Sequence, residues 1–471
     1  MMRKAAVRTL AAAATCVALA GLVMVGQAQA DPAPAADAST ACPLPSGSAA
    51  PGRSDPGAQQ LDPAAVRDAV AYAQANMRLS VRIYRNNCLV GTGPLDPVTQ
   101  NVPFNVFSST KSVVSMATGI AYGQRKLALD DPIGKYLPEG PGWGDADHRA
   151  ITIRNLLNEA GGLDEAILSE FATIGNDPNV ARQALALPIT HEPGTNFDYS
   201  QRTPDLVAFV VARAVGQDFQ DFVQDNLFDP VGIDRNSYFW LRDRSGNTYG
   251  YANLFIPSEQ FARLGLLMQN GGRWNGEQVV PADYVQQVSV PSAPNPCYGL
   301  LFWTNRGDIC KTTDIPASRV LDHQLTPSAP RDMYAMVGAL QQNNFIIPSL
   351  DMTVTWTGVL GDKAPDPQAI ASASPGADLY YNFFRILMRG VRDQDVPDPG
   401  PYVADAASAN LDPANYLDPK ILGNGIGIGP YAPPGCNLVF CPPGDLTTGP
   451  RQEIPDIIES VGGATDLGNN E

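Results

Sequence analysis

The amino-acid sequence predicts an α+β protein in which one antiparallel sheet combines strands from both ends of the chain. Residues 79–83 alternate apolar and polar side chains, and an Asn86-Asn87 turn leads into a second strand at 88–91. Later strand patterns occur at 298–303, 333–336, 344–347 and 352–356. Helical patterns occupy most of the interval between the two groups. The helices are therefore predicted to flank the sheet and to include an all-helical insertion.

The predicted helices are marked by capping residues and apolar periodicity. Asp62 is a plausible N-cap with Pro63 at the first helical position, which predicts a helix over 62–76. Thr152 similarly caps a helix over 152–159. Further helices are predicted over 108–122, 203–215, 217–227, 258–269 and 376–391.

Four segments of the chain differ in composition. Residues 1–30 combine a positive start, an apolar stretch and an A-x-A cleavage site, which predicts a signal peptide; a retained membrane anchor is the alternative. Residues 31–60 are rich in Ala, Pro, Ser and Gly and are predicted to be a flexible linker. The folded domain is predicted over 61–394 and a loosely ordered Pro- and Gly-rich extension over 395–471. Within the domain, the α/β part is predicted at about 61–107 and 235–394 and the helical part at about 108–234.

The charge of the chain argues against two classes of partner. The formal net charge is −16 at pH 7, and loss of Arg3, Lys4 and Arg8 with the signal peptide changes it to −19. So acidic a surface repels nucleic acid and anionic lipid. We therefore expect no nucleic-acid partner and no membrane partner after cleavage. The predicted signal peptide indicates a location outside the cell or on the exterior of its envelope.

Six cysteines would remain after cleavage, and an even number in an exported chain indicates disulfides. Six cysteines allow fifteen pairings. Proximity favours Cys297 with Cys310 and Cys436 with Cys441, which leaves Cys42 with Cys88. The chain has no CxxC pair and its three histidines are not at ligand spacing, so neither a metal nor another cofactor is predicted.

Ser108 and Lys111 form an S-x-x-K motif at the start of an apolar helix. Positions i and i+3 share a helical face, so the Lys111 amine can reach the Ser108 hydroxyl. The helix N-terminus would favour a developing alkoxide, and a partly desolvated neutral lysine can accept the serine proton. The alternative interpretation is a capped helix with a surface lysine.

Further motifs follow S-x-x-K in a fixed order. They are Leu129-Asp130-Asp131-Pro132, Tyr136-Leu137-Pro138, Ile151-Thr152-Ile153-Arg154-Asn155-Leu156-Leu157, Gly161-Gly162-Leu163, Pro193-Gly194-Thr195, Phe197-Asp198-Tyr199-Ser200 and Pro230-Val231-Gly232-Ile233. Over residues 62–392 this series resembles the class C β-lactamase-like serine hydrolases, a group that includes β-lactamases, D-alanyl-D-alanine peptidases, esterases and 6-aminohexanoate-dimer hydrolases. The resemblance implies a β-lactamase/transpeptidase-like fold.

The resemblance also implies roles for individual residues. Ser108 corresponds to the nucleophile, Lys111 to its motif partner, and Tyr199 to the tyrosine of the Y-x-N motif, which shuttles a proton. Gln201 stands where that motif usually has asparagine, and its amide group lies one methylene further from the backbone.

The third motif of the family, K-T-G or H-x-G on a strand beside the nucleophile, corresponds to Met336-Val337-Gly338. Gly338 would allow close approach of that strand, and the Ala339 N–H would join the Ser108 N–H in an oxyanion hole. Met336 replaces the Lys or His that β-lactamases and peptidases use near the substrate carboxylate. This departure favours a neutral ester or amide.

Tyr249 and Tyr251 resemble the segment where the dimer-hydrolase branch carries a tyrosine on the substrate side. Together these features predict a secreted serine hydrolase that cleaves a small ester, amide or peptide-like substrate through a Ser108 acyl-enzyme. Two alternatives remain open: a cell-wall D-Ala-D-Ala peptidase or β-lactamase, and a non-catalytic binding protein that kept the fold.

Overall fold

A computed structural model of the chain describes residues 40–164, 176–313, 317–359, 378–406, 408–437 and 439–441. The predicted signal peptide, the first part of the predicted linker and residues 442–471 of the predicted extension lie outside the described residues. Among the described residues, no helix combines the length and the apolar character that crossing a membrane requires.

The core of the fold is a seven-stranded antiparallel sheet. Its strands are β1 (Arg78–Arg85), β2 (Cys88–Thr92), β8 (Tyr298–Gly299), β9 (Phe302–Thr304), β13 (Tyr334–Gly338), β14 (Gln342–Ile347) and β15 (Met352–Gly358). They lie in the order β2-β1-β15-β14-β13-β9-β8. N-terminal β1 pairs directly with C-terminal β15, which confirms that the sheet joins the two ends of the domain.

The described residues also form smaller sheets. Their strands are β3 (Pro103–Asn105), β4 (Phe239–Trp240), β5 (Leu254–Pro257), β6 (Arg273–Trp274), β7 (Glu277–Gln278), β10 (Cys310–Lys311), β11 (Ala317–Ser318), β12 (Val320–Leu321) and β16 (Ser408–Ala409). Three of these sheets have two strands, β6-β7, β10-β12 and β11-β16, and one has three strands in the order β3-β5-β4.

The α-helices are α1 (Pro63–Ala75), α2 (Asp96–Thr99), α3 (Ser109–Gly123), α4 (Ala146–Ala150), α5 (Ile153–Leu157), α6 (Val180–Ala184), α7 (Arg202–Val215), α8 (Phe219–Val223), α9 (Asp229–Val231), α10 (Ser258–Gln269), α11 (Ala282–Val288), α12 (Asp378–Met388) and α13 (Pro419–Gly425). The predicted caps are confirmed, because the Asp62 and Thr152 side chains accept hydrogen bonds from the Ala64 and Asn155 amides. The predicted helix over 217–227 begins at Phe219 and continues to Val231, with a π-helical turn at Gln224–Phe228 between α8 and α9.

Two helical layers cover opposite faces of the sheet. Phe345 of β14 contacts Tyr380 and Phe384 of α12, whereas the adjacent Asn344 donates a hydrogen bond to the Phe261 carbonyl of α10. Successive side chains of a strand point to opposite faces. The helices α10 and α12 therefore lie on the two sides of the sheet, with the strands buried between them.

The described parts of both segments that were predicted to be flexible are attached to the domain. The Cys42–Cys88 disulfide ties the N-terminal segment to β2, and Trp274 donates a hydrogen bond to the Pro45 carbonyl. In the C-terminal extension, α13 packs on α6, and the loop closed by the third disulfide contacts the Arg244 side chain. All three predicted disulfides are present: Cys42–Cys88, Cys297–Cys310 and Cys436–Cys441.

Candidate active site

Ser108 lies at the N-terminus of α3, directly after a residue in the left-handed conformation. Phe107 has φ +44°, and its amide donates a hydrogen bond to the Asn105 side chain at 2.9 Å. A positive φ is unfavourable for a bulky residue. The Asn105 contact and the hydrogen bond from the Val106 amide to the Leu254 carbonyl stabilise this turn. The turn places Ser108 at the N-cap of α3.

The helix behind Ser108 is fixed to the sheet by two serine hydroxyls. Ser109 Oγ donates to the Gln342 carbonyl of β14 at 2.8 Å, and Ser112 Oγ donates to the Leu301 carbonyl before β9 at 2.7 Å. The α3 residues 109–121 are buried. The nucleophile position is therefore held by a rigid element, which favours a preorganised site.

Lys111 places its amine among three side chains of the predicted motifs. Lys111 Nζ lies 3.4 Å from Ser108 Oγ and donates a hydrogen bond to Gln201 Oε1 at 2.9 Å. The same nitrogen lies 4.4 Å from the centroid of the Tyr199 ring. Lys111 is only 1% exposed, which contradicts the alternative of a surface lysine. The structure thus brings together the four residues that the first two motifs predicted.

The Tyr199 ring is held in an aromatic cluster. It stacks on Trp303 of β9 with 5.7 Å between ring centroids and meets Tyr298 of β8 edge-on at 6.0 Å. The buried Glu159 fixes the segment before α7 through two hydrogen bonds. Its carboxylate accepts from the Ser200 amide, and its backbone carbonyl accepts from the Asp198 amide. These contacts fix the ring beside Lys111.

The strand β13 approaches the nucleophile turn through Gly338. A Cβ built on Gly338 would lie 2.1 Å from the Val106 carbonyl oxygen, so only glycine fits there. Met336 shares a face of β13 with Gly338 because the two residues are two positions apart, and its side chain is fully buried. The third motif thus contributes backbone and an apolar side chain at this position.

A buried arginine fixes the turn that follows β13 at Ala339. Leu340 and Gln341 have φ values of +54° and +60°. Their carbonyls accept hydrogen bonds from Arg78 Nη1 at 2.9 and 2.7 Å. Burial lowers the pKa of Arg78 to about 10, which still leaves the guanidinium charged at neutral pH. Within the described part of the chain, neither the Ser108 amide nor the Ala339 amide donates a hydrogen bond to a backbone carbonyl of a turn, loop or helix cap.

Tyr249 and Tyr251 both lie in a buried cluster beside the site. The Tyr249 hydroxyl donates to Asp177 Oδ2 at 2.7 Å. The Tyr251 ring lies 5.6 Å from Lys111 Nζ. Both side chains are at most 1% exposed, and burial raises the pKa of both phenols. Tyr251 thus contacts Lys111, one of the residues predicted for catalysis.

A family model described as Beta-lactamase matches residues 50–303. The chain belongs to the Beta-lactamase family. The matched region of this Beta-lactamase family member contains Ser108, Lys111, Tyr199 and Gln201 and ends before β13, where the Met336 departure occurs.

Curated relatives match a short stretch of the chain. The esterase EstB of Burkholderia gladioli is 29% identical over 153 residues, which cover 29% of this chain and 38% of EstB. Protein flp of Staphylococcus aureus strain MW2 is 23% identical over 138 residues, which cover 29% of this chain and 28% of that protein. The matches therefore span well under half the length of these relatives.

Solved structures confirm the β-lactamase/transpeptidase-like fold. A Bacteroides dorei protein provisionally named a β-lactamase has a TM-score of 0.53 at 14% identity, with 69% of this chain and 99% of that chain covered. A Bacillus anthracis protein provisionally named a 6-aminohexanoate-dimer hydrolase has a TM-score of 0.51 at 13% identity, with 68% and 82% covered. At these identities the likeness establishes the fold alone.

Two buried arginines that support the site are not part of any of the sequence motifs. Arg78 holds the Ala339 turn, and Arg202 follows Gln201 and pairs with Asp177 and Asp205. Both guanidinium groups are fully buried. A role for Arg202 could have been predicted from its position, because it begins an apolar helix directly after the second motif. Nothing in the local sequence distinguishes Arg78.

Proposed function

We propose that this Beta-lactamase family member is a secreted serine hydrolase that cleaves a neutral ester or amide through an acyl-enzyme at Ser108. The observation that carries the proposal is the contact between Lys111 Nζ and Ser108 Oγ, in a buried setting shared with Tyr199 and Gln201. A serine hydroxyl needs a base within such reach to become a nucleophile.

The proposed reaction has two acyl-transfer steps. Lys111 or Tyr199 takes the Ser108 proton as Oγ attacks the substrate carbonyl. The resulting oxyanion accepts hydrogen bonds from the amides of Ser108 and Ala339, and the α3 N-terminus favours its negative charge. That proton passes through Tyr199 to the leaving group as its bond to the carbonyl carbon breaks. In the second step, Lys111 or Tyr199 takes a proton from water as the water oxygen attacks the acyl-enzyme carbonyl. This second proton passes to Ser108 Oγ as the ester bond breaks and the acid leaves.

The proposed preference for a neutral substrate depends on Met336. A buried methionine cannot pair with a substrate carboxylate, whereas a lysine or histidine on this strand could. The name of EstB as an esterase supports this preference.

Secretion is supported by the disulfides. Three disulfides are found among the described residues, and such bonds persist mainly in oxidising compartments. The predicted signal peptide over 1–30 is consistent with the same location.

A comparison of substrates tests the proposal. Residues 31–471 are incubated with p-nitrophenyl butyrate, with nitrocefin and with a peptide ending in D-Ala-D-Ala, and initial rates are compared. We expect turnover of the ester and slow or no turnover of the other two. Faster turnover of nitrocefin or the peptide would instead indicate a β-lactamase or cell-wall peptidase. Failure of all three, with the protein shown to be folded, would favour a non-catalytic binding protein.

A further inference from the structure

We propose that Tyr251 is a positioning residue, which holds the Lys111 amine against Ser108 and is itself fixed by Asp205 and Arg202. This inference rests on the proposed function, because it concerns how the general base of that reaction is oriented. It assigns Tyr251 a role toward Lys111 instead of toward the substrate.

The first observation is the pair of aromatic rings beside the amine. Lys111 Nζ lies 4.4 Å from the Tyr199 ring centroid and 5.6 Å from the Tyr251 ring centroid. Lysine has four rotatable side-chain bonds, so its amine can adopt many positions unless neighbouring groups restrict it. The two rings and the Gln201 amide restrict the amine to a position from which it reaches Ser108 Oγ.

The second observation is the way the backbone of Tyr251 is fixed. Asp205 Oδ1 accepts hydrogen bonds from the Gly250 amide at 2.6 Å and from the Tyr251 amide at 3.2 Å. The other oxygen of Asp205 accepts from Arg202, which also pairs with Asp177 at 3.1 Å. These three charged side chains are all fully buried.

The third observation is the close contact between the Tyr251 loop and α7. A Cβ on Gly250 would lie 2.2 Å from the Pro204 carbonyl oxygen, so the loop packs directly on the first turn of the helix. That helix begins next to Gln201, whose Oε1 accepts a hydrogen bond from Lys111 Nζ. Gln201 and Tyr251 are therefore held by one rigid unit, and the Tyr251 ring also lies 5.7 Å from the Arg202 guanidinium carbon.

The consequence for the reaction is geometric. If the ring is removed, the amine gains freedom to leave Ser108 Oγ, and misplacement of a catalytic group by about 1 Å can cost on the order of 100-fold in rate. The substrate would still bind, because the ring contacts Lys111 and Arg202 in the structure. Loss of Tyr251 should therefore lower the rate of reaction at Ser108 more than it lowers affinity for the reagent.

The test measures phosphonylation of Ser108 by a small fluorophosphonate. In that reaction Ser108 Oγ forms a bond to phosphorus, fluoride leaves, and the serine proton passes to the base. The maximal labelling rate and the half-saturating concentration are measured separately for the wild type, Tyr251→Leu and Tyr251→Phe. We expect Tyr251→Leu to lower the maximal rate by about 10- to 100-fold, with less than about a 3-fold change in half-saturation. Tyr251→Phe keeps the ring and should restore most of the rate.

A matched control separates positioning from general loss of stability. Tyr284 is fully buried, and its hydroxyl is hydrogen-bonded to the Ser115 hydroxyl. Ser115 lies in α3, one helical turn after Lys111. Tyr284→Leu should lower the melting temperature about as much as Tyr251→Leu while retaining the labelling rate. An unchanged rate in Tyr251→Leu, an equal loss in Tyr251→Phe, or a loss confined to half-saturation would overturn the inference. Absence of labelling in the wild type would instead contradict the proposed function itself.

Discussion

The helical side and the strand side of the Ser108 site contribute different chemistry. The helical side presents polar side chains, because Lys111 and Gln201 are directly hydrogen-bonded and Tyr199 packs against the amine. The strand side presents the Gly338–Ala339 backbone and the buried Met336. In the proposed function, the side chains that perform acyl transfer lie on the helical side, whereas the strand position that corresponds to the Lys or His of the third motif holds Met336. We therefore expect substitutions on the helical side to change the rate and those on the strand side to change the substrate preference.

The largest expected effect is on the helical side, at the nucleophile. Ser108→Ala should lower hydrolysis of p-nitrophenyl butyrate by about 10⁴-fold or more, since loss of a serine nucleophile removes the covalent route. The neighbouring Ser109→Ala is the matched control: its hydroxyl bonds to the Gln342 carbonyl and should affect stability more than rate. Full activity in Ser108→Ala would contradict the assignment.

The second prediction concerns the proton shuttle. Tyr199→Phe keeps the ring stacked on Trp303 but removes the hydroxyl, and it should lower kcat by about 10²- to 10³-fold. Tyr298→Phe removes a hydroxyl from the same aromatic cluster and should change kcat only a few-fold. Similar losses in the two variants would show that packing of the cluster, and not proton transfer by Tyr199, sets the rate.

The third prediction tests the strand side. Met336→Lys should raise the rate of acylation by penicillins relative to neutral esters by about 10-fold. The new ammonium group could pair with the penicillin carboxylate, and a close charge pair between binding partners contributes on the order of 1 kcal/mol or more. Met336→Leu, which keeps an apolar side chain of similar volume, should leave the preference unchanged. The measurement is the ratio of the penicillin rate to the ester rate in each folded variant. An equal ratio in the two variants would show that residue 336 does not determine substrate preference.

Much of this arrangement could be predicted from local sequence. The caps at Asp62 and Thr152, the S-x-x-K helix and the glycine at 338 are signals that depend on a few neighbouring residues, and the structure has each of them in the expected element. Proximity along the chain also predicted Cys297–Cys310 and Cys436–Cys441, and Cys42–Cys88 was the pairing that then remained.

The contacts that could not be predicted join residues far apart in sequence. Arg78 binds the Leu340 and Gln341 carbonyls across more than 260 positions, and nothing near Arg78 indicates that partner. Composition likewise indicated a flexible linker before residue 60. It could not show that Trp274 bonds to Pro45 or that a disulfide fixes the segment to β2.

The smallest expected effect concerns stability and pH. Asp243 is buried, and burial raises its pKa to about 7 although it accepts hydrogen bonds from the Val180 and Asn247 amides. The folded state thus holds a proton that the unfolded state loses near pH 4. Stability from this group is present at low pH and is lost as pH rises through about 7, by about 1–3 kcal/mol.

Asp243→Asn should remove this dependence. Urea unfolding at pH 5 and pH 7.5 measures it: the free energy of unfolding of the wild type should fall more between these values than that of the variant. Parallel changes in the two proteins would show that Asp243 is ionised in the folded state at both pH values.

The most direct test of the central claim is the identity of the residue that carries the acyl group. Wild-type protein is mixed with p-nitrophenyl acetate, quenched in acid within the first turnover, and analysed by intact mass and by peptide mapping. We expect one added acetyl group on Ser108, absent from Ser108→Ala and formed much more slowly in Lys111→Met. An acetyl group on another residue, or ester turnover that persists without Ser108, would contradict it.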